Sequence, residues 1–170
     1  MLFRSQTVHQ FRWQAGSNRG ASGIDGLFAT AIGHALASGQ PVVAFVGDVS
    51  ALHDLNSLQL ASQLNTPLVL IVLNNDGGGI FRYLPVAKYA DVFNTLFTTP
   101  HGRAFTPMAK AFGLAHESPS TRAAFTKCVS KALGRKGATL IEVSCTATAS
   151  EAARVRITNA STTALAKEFR

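Results

Sequence analysis

The sequence lacks the long apolar run that a membrane-spanning helix requires. Its longest apolar stretch, residues 67–73, is much shorter than the roughly 18 residues needed to cross a bilayer. It has only two cysteines, Cys128 and Cys145, and their separation does not fit a metal-ligand motif. This scarcity argues against a disulfide scaffold or a cysteine zinc site, and favours reduced thiols in an intracellular protein.

Acidic residues are scarce as well. The chain has 9 of them against 16 lysines and arginines, which gives a formal net charge of +7. A basic balance is typical of proteins that bind nucleic acid, membrane surfaces or anionic small molecules. Here the basic residues are scattered, and one Trp and two Tyr leave few rings on which bases could stack. The composition therefore disfavours nucleic acid as a partner.

The length and apolar content predict a single domain with its own core. The chain has 170 residues, of which 46% are hydrophobic and 15% charged, and this excludes disorder as its main state. Its first 20 residues hold three arginines and no acid, a composition that resembles a transit peptide. No amphipathic period runs through residues 1–14, so we interpret residues 1–16 as an irregular N-terminal segment and residues 17–170 as the domain.

Strand-like and helix-like segments alternate along the chain. This order predicts an α/β fold of three layers, with a Rossmann-like parallel sheet. Continuous apolar runs predict buried strands at residues 41–47, 67–73 and 138–144. Apolar spacings of three and four predict helices at residues 22–38, 54–64, 105–112, 120–133 and from 150 to the C terminus. Asp54 is the predicted N-cap of the second helix.

Polar residues follow the first two predicted strands. Asp48 ends the first strand, and Asn74, Asn75 and a glycine run at 77–79 follow the second. Ligands of open parallel sheets bind at the carboxyl ends of the strands. Carboxylate, amide and carbonyl oxygens suit Mg²⁺, and glycines let the backbone approach an anion closely. The same residues also fit a simple helix cap and a turn, so the pattern leaves two interpretations open.

The spacing of Gly47-Asp48 and Asn74-Asn75 resembles the metal–diphosphate motif of thiamine diphosphate enzymes. Val49 departs from the small residue that usually follows this aspartate, and points to one branch. That branch is the family of 2-succinyl-5-enolpyruvyl-6-hydroxy-3-cyclohexene-1-carboxylate synthase, of menaquinone and phylloquinone biosynthesis. The runs that carry the resemblance are residues 17–26, 46–52, 54–56, 80–81 and 84–85. It is strong over residues 17–85 and weak beyond them, where Ile141-Glu142-Val143 is the main match.

The resemblance implies a thiamine diphosphate-binding fold, here the diphosphate-binding domain, with thiamine diphosphate and Mg²⁺ or Mn²⁺ as cofactors. It assigns the metal to the Asp48 carboxylate, the Asn75 side-chain oxygen and the Gly77 carbonyl, and so prefers Asn75 to Asn74. Beyond these metal ligands, it assigns contacts with the organic cofactor to Ile24, Val49, Ser50 and Ile80. It assigns contacts with the substrate to Arg19, Phe81 and Leu84.

The resemblance also implies a reaction and a partner. The family decarboxylates 2-oxoglutarate and adds the succinyl-semialdehyde unit to isochorismate. Its cofactor-activating glutamate lies on a separate pyrimidine-binding domain, and the glutamates of this chain stand outside the matching motifs: Glu117, Glu142, Glu151 and Glu168. We therefore expect no catalytic residue in this chain, a pyrimidine-binding domain as its partner, a homo-oligomer in the full enzyme, and a cytoplasmic location, or a plastid in a eukaryote.

The chain is too short for the whole of such an enzyme, so we expect a fragment or a separate subunit that is inactive alone. Two alternatives stay open: a non-catalytic thiamine diphosphate-binding module, and another thiamine diphosphate enzyme of the acetolactate synthase type. Asp76 adds a carboxylate near the metal loop, and Arg82 adds positive charge. The histidines without a matched role are expected to be ordinary surface or core residues: His34, His53, His101 and His116.

Overall fold

The computed structural model describes residues 15–18 and 23–168. The strands of this part of the chain are β1 (Val42–Gly47), β2 (Leu68–Asn74), β3 (Ala115–Glu117) and β4 (Ala138–Ser144). Its α-helices are α1 (Leu27–Ser38), α2 (Asp48–His53), α3 (Leu58–Ala61), α4 (Ala90–Phe93), α5 (Thr106–Ala111), α6 (Arg122–Leu133) and α7 (Ala147–Glu168). Tighter turns fill the connections at Leu55–Ser57, Gly79–Tyr83 and Pro85–Lys88, and a π-helical turn spans Asn94–Thr98.

The strands form one parallel sheet in the order β1-β2-β4-β3. Val42 of β1 pairs with Leu68 of β2, and Leu68 pairs in turn with Ala138 of β4. The chain therefore passes from β2 to the outer position of β3 before it returns to the centre as β4. The predicted α/β class with a parallel sheet is confirmed.

The two faces of the sheet are covered by different helices. One face packs against α1, where Phe28 and Ile32 are buried, and the other packs against α6. Strand β2 contributes to both cores: Leu68, Leu70 and Val72 to the first, Val69 and Ile71 to the second. Each such fully buried side chain stabilises the fold by roughly 1.5–3 kcal/mol. Burial on both faces is the physical reason that β2 reads as an uninterrupted apolar run.

The predicted helix over residues 54–64 is confirmed only in part, because helical structure covers Leu55–Ala61 and is not one continuous α-helix. A short helix, α2, begins directly after β1 at Asp48, and the chain then makes a 3-10 turn at Leu55–Ser57 before α3. Asp54 does not cap the next segment with its side chain. Its carboxylate instead accepts hydrogen bonds from the backbone N–H of Ala29 at 2.9 Å and from the Ser57 hydroxyl. This tertiary bond to α1 outweighs the local preference for an N-cap.

Other boundaries differ by a few residues, and some elements were not predicted. Helix α1 begins at Leu27 because Gly26, at φ +64°, lies in the left-handed region before it, and residue 22 of the predicted helix lies outside the described residues. Helix α7 begins at Ala147 and not at residue 150. Strand β3 has only three residues, too few to show a period of two. Helix α4 and the π-helical turn were also missed.

Strand β3 is tied to α6 by an ion pair at the surface. Lys131 Nζ donates to Glu117 Oε1 over 2.6 Å. The hydrogen bond lowers the pKa of the Glu117 carboxyl and raises the pKa of the Lys131 amine. Because exposed pairs of this kind are screened by water, the contribution to stability is small.

The N terminus of α6 allows a local test. Thr121 is the N-cap, and its side chain accepts a hydrogen bond from Ala124 N at 3.1 Å. Thr121→Ala is expected to lower the free energy of unfolding by about 1 kcal/mol, because that N–H loses its partner. Urea denaturation measures the change. Ser120→Ala, at the exposed neighbouring position, is the control, and an equal loss in both variants would contradict the capping role.

Helix α7 has 22 residues and projects most of its side chains into solvent. Its first half is attached by Arg154, whose guanidinium lies 4.1 Å from the centroid of the Tyr83 ring. Across residues 15–18 and 23–168, no helix has the combination of length and apolar character that crossing a membrane demands.

Candidate functional site

The carboxyl ends of β1 and β2 lie side by side. Gly47 pairs with Leu73 in the parallel register, so the residues that follow each strand emerge at the same edge of the sheet. Asp48 opens α2 after β1, and the loop after β2 folds back toward it. The backbone N–H of Gly77 donates to Asp48 Oδ2 over 2.8 Å. The structure thus joins the two strand ends through one buried hydrogen bond.

Asp48 is a buried carboxylate, with 2% of its surface exposed. Its Oδ1 accepts a hydrogen bond from Val49 N at 2.8 Å, and its Oδ2 accepts from Gly77 N. The His101 ring adds a third contact, with Nε2 at 3.1 Å from Oδ2. A carboxylate offers about four acceptor positions. The described residues occupy three of these acceptor positions and leave the fourth, on Oδ1, open.

The loop after β2 needs glycine for its path. Gly77 has φ +117°, and a Cβ at this residue would lie 2.0 Å from the backbone oxygen of Thr98. The next N–H, that of Gly78, donates to the same Thr98 oxygen over 2.8 Å. At Gly79 a Cβ would lie 2.2 Å from Asn75 Nδ2. The glycines therefore allow both the close approach of the π-helical turn and the position of the Asn75 side chain.

Asn74 and Asn75 have different surroundings. Asn74 Nδ2 donates to Glu142 Oε1 at 2.7 Å and to the Arg103 carbonyl at 2.9 Å, and Asn74 Oδ1 accepts from Asp76 N at 3.1 Å. Its polar atoms are thus used to hold β2, β4 and the loop together. The Asn75 side chain makes no hydrogen bond to any residue that the structure describes, so its oxygen is available to a ligand.

The ring of His101, which the sequence left without a matched role, contacts Asp48. Asp76 holds the segment that carries it: Asp76 Oδ1 accepts from His101 N at 2.9 Å and from Gly102 N at 2.7 Å. Asp76 is itself at φ +61°, a conformation that aspartate tolerates better than most residues. His101 lies 53 residues after Asp48, and no motif or period connects the two.

His116 and Glu142 form a second buried pair, beneath the end of β4. His116 Nε2 lies 3.5 Å from Glu142 Oε2, which also accepts from Phe105 N at 2.9 Å. Because Asn74 donates to the other carboxylate oxygen, Glu142 is well supplied with donors. Its role here is to connect β4 to the start of α5 and to the end of β2.

The remaining predicted residues differ in their burial and contacts. Val49 and Ser50 are partly buried in the first turn of α2. Phe81 packs edge-on against Phe97, with ring centroids 5.6 Å apart. Three apolar side chains are exposed: Ile24 at 40%, Ile80 at 67% and Leu84 at 46%. Arg19 lies outside the described residues.

A cleft of about 400 Å³ opens beside the loop, with Asn75, Arg82, Asn94 and Thr98 among its lining residues. Within residues 15–18 and 23–168, no group of three or more His, Cys, Asp or Glu side chains is arranged to hold a metal ion. The potential metal ligands at this edge are oxygen atoms instead: those of the Asp48 carboxylate, the Asn75 side-chain amide and the Gly77 carbonyl. Such a set of hard oxygens fits Mg²⁺ when phosphate oxygens and water complete the coordination.

The fold and the arrangement at the strand ends are typical of α/β domains whose ligands bind at the carboxyl ends of parallel strands. Residues 5–143 match the family described as the thiamine pyrophosphate enzyme, C-terminal TPP binding domain. The chain belongs to this family, as the motifs after β1 and β2 predicted.

Individual relatives support this family assignment. The 2-succinyl-5-enolpyruvyl-6-hydroxy-3-cyclohexene-1-carboxylate synthase of Chlorobium phaeovibrioides is 46% identical over 132 residues, which are 78% of this chain and 23% of the relative. The synthase of the same name from Aeromonas salmonicida is 50% identical over 131 residues, 75% of this chain and 23% of the relative. The chain thus spans about a quarter of the length of these curated relatives.

Among solved structures, benzoylformate decarboxylase from Polynucleobacter necessarius superposes with a TM-score of 0.65 at 25% identity. The match covers 75% of this chain and 24% of that one. The shared region is therefore a domain of a larger enzyme, as the resemblance implied.

Proposed function

We propose that this chain is the cofactor-binding part of a thiamine diphosphate-dependent synthase, with its domain at residues 17–170. The synthase decarboxylates 2-oxoglutarate and adds the succinyl-semialdehyde unit to isochorismate in menaquinone or phylloquinone biosynthesis. The observation that carries the proposal is the hydrogen bond from Gly77 N to Asp48, which brings the loop after β2 to the buried carboxylate. The 46% and 50% identities to synthases of that name support the choice of substrates.

In this proposal three residues hold Mg²⁺, or Mn²⁺, against the cofactor diphosphate. Asp48 offers the open acceptor position of Oδ1, Asn75 offers its amide oxygen, and Gly77 offers its backbone carbonyl. When bound, thiamine diphosphate supplies the electron sink for decarboxylation, and the protein supplies orientation and electrostatics. The buried position of Asp48 strengthens its attraction for a cation, because few water molecules screen it.

Other residues bind the organic parts of the cofactor and the substrates. Ser50 and the backbone around Val49 contact the diphosphate from the first turn of α2, which begins directly after β1. Ile24 and Ile80 are apolar surfaces for the rings of the cofactor. Phe81 and Leu84 line the substrate side. Arg19 pairs with a substrate carboxylate, for which the planar guanidinium is well suited.

The exposed apolar residues beside the site support a partner domain. Ile24, Ile80 and Leu84 are at least 40% exposed, and a pyrimidine-binding domain packed on them would remove this surface from water. That domain supplies the glutamate that activates the cofactor, and the complete enzyme is a homo-oligomer. We further propose a cytoplasmic location, or a plastid if the source is a eukaryote.

Reconstitution tests this proposal. The full chain is mixed with the part of the Chlorobium phaeovibrioides synthase that precedes the matched region, and carbon dioxide release from 2-oxoglutarate is measured with and without isochorismate. We expect decarboxylation only when both proteins, thiamine diphosphate and Mg²⁺ are present. A folded complex of the two proteins without this activity would contradict the proposal.

A second candidate is another 2-oxo acid, since the chain superposes on a benzoylformate decarboxylase. The same mixture is therefore assayed with benzoylformate and with pyruvate, the latter for an enzyme of the acetolactate synthase type. Faster turnover of either acid than of 2-oxoglutarate would replace the proposed substrate. Calorimetry that shows Mg²⁺-dependent cofactor binding, with no turnover of any acid, would identify a binding module without catalysis.

A further inference from the structure

His101 is held in a fixed position between two backbone segments. Its side chain is only 11% exposed, and its backbone N–H donates to Asp76 on the loop after β2. The N–H of Arg103 donates to His101 Nδ1 over 3.0 Å. On the other side of the ring, Nε2 lies 3.1 Å from Asp48 Oδ2. The imidazole therefore bridges its own segment and the candidate metal ligand.

The hydrogen bonds determine which ring nitrogen carries the proton. Because Arg103 N can only donate, His101 Nδ1 must accept, and a neutral ring then carries its proton on Nε2. That N–H points to Asp48 Oδ2 and donates to it. Asp76 Oδ1, 3.6 Å from Nδ1, is beyond good hydrogen-bond distance and instead anchors the backbone on both sides of the ring.

These contacts treat the two oxygens of Asp48 differently. Oδ2 accepts from Gly77 N and from His101, which uses both of its acceptor positions. Oδ1 accepts only from Val49 N among the described residues and keeps one position. Without the ring, Oδ2 would also have an open acceptor position, and of the groups that the structure describes only the N–H groups of Val49 and Gly77 would hold the carboxylate. His101 thus leaves a single oxygen free to meet a cation.

We propose that His101 is a positioning residue that orients the Asp48 carboxylate so that Oδ1 binds the metal. The inference rests on the proposed function, since it requires Asp48 to be a metal ligand. Groups that orient a metal ligand through a hydrogen bond commonly change metal affinity by about 10–100-fold when removed. His101 would act through its hydrogen bond to Asp48, and not by binding the metal itself.

The test is Mn²⁺ affinity, measured by the electron paramagnetic resonance signal of free Mn²⁺ during titration of the full chain with thiamine diphosphate. His101→Leu is expected to weaken Mn²⁺ binding by about 10–100-fold. His101→Gln places an amide N–H where Nε2 lies and is expected to restore affinity to within a few-fold of wild type. His53→Leu, at the exposed end of α2, is the matched control.

A second measurement needs no variant. The long-range ¹H–¹⁵N spectrum of the wild-type histidines is expected to show the His101 ring with a protonated Nε2 and an unprotonated Nδ1. A ring protonated on Nδ1 alone would overturn the proposal, even if His101→Leu failed to fold.

The outcomes separate this proposal from the one on which it rests. If wild type and both His101 variants bind Mn²⁺ equally while Asp48→Ala does not, His101 has no positioning role and the metal site stands. If His101→Gln loses as much affinity as His101→Leu, the donated hydrogen bond is not the cause. If wild type binds no Mn²⁺ with the cofactor, the metal assignment is wrong and both proposals fail.

Discussion

Asp48→Ala is expected to weaken the Mg²⁺-dependent binding of thiamine diphosphate by at least about 100-fold, which corresponds to roughly 2.7 kcal/mol. Asp48 supplies the only charged oxygen of the three proposed donors, and its position among buried groups limits screening by water. Calorimetric titration of the full chain, with and without Mg²⁺, measures the effect. Without Mg²⁺, wild type and variant should bind the cofactor equally weakly.

Asp91→Ala is the control, because Asp91 is an exposed acid on α4. Loss of Asp48 also removes the acceptor for Val49 N, Gly77 N and the His101 ring. A buried donor left without a partner costs roughly 1–3 kcal/mol, so circular dichroism must show that the variant is folded. Asp48→Asn keeps the shape and serves if alanine unfolds the chain. Equal affinity of a folded Asp48 variant and wild type would remove the metal from the proposed function.

Gly77→Ala is expected to lower the free energy of unfolding by about 2–4 kcal/mol and to abolish cofactor binding. The residue has φ +117°, which side chains rarely adopt, and the added Cβ would meet the Thr98 oxygen at 2.0 Å. Either the loop or the π-helical turn at Asn94–Thr98 must move. If the loop moves, the Gly77 N–H that donates to Asp48 moves as well. Urea denaturation and calorimetry measure the two effects.

Gly113→Ala separates backbone strain from the clash. Gly113 has φ +70°, and a Cβ there meets nothing within 4 Å. This control is expected to lose only about 1 kcal/mol, the strain of a left-handed alanine, and to keep cofactor affinity. If Gly77→Ala were no more destabilising than Gly113→Ala, the close approach of Thr98 would not constrain the loop.

The strands were predicted well because their signal is local. A strand buried on both faces needs apolar residues throughout, and the runs at 41–47, 67–73 and 138–144 match β1, β2 and β4 to within one residue at each end. Helix α2, directly after β1, was missed, and the helix predicted at 54–64 is broken into a 3-10 turn and α3. Asp54 has the side chain of an N-cap but bonds to α1 instead. Strand β3 is too short to carry a period.

The site was predicted in part, because only some of its residues have a local signal in the sequence. Two polar strand ends on neighbouring parallel strands must meet at one edge, so Asp48 and the loop at 75–77 could be singled out from their order alone. The supporting contacts could not. Asn74 reaches Glu142 across 68 residues of sequence, and His101 reaches Asp48 across 53.

By itself, the sequence determined that this protein is a parallel α/β domain with oxygen-bearing residues after two neighbouring strands. Apolar runs, glycines and polar strand ends are local signals. The tertiary structure alone decided which distant side chains hydrogen-bond to Asp48 and to the loop at 75–77. Such contacts depend on the strand order β1-β2-β4-β3 and on where the segment after the π-helical turn crosses the site. Hydrophobic periodicity predicts neither the strand order nor the path of that segment. It reports which face of an element is buried and not which distant residue lies against it.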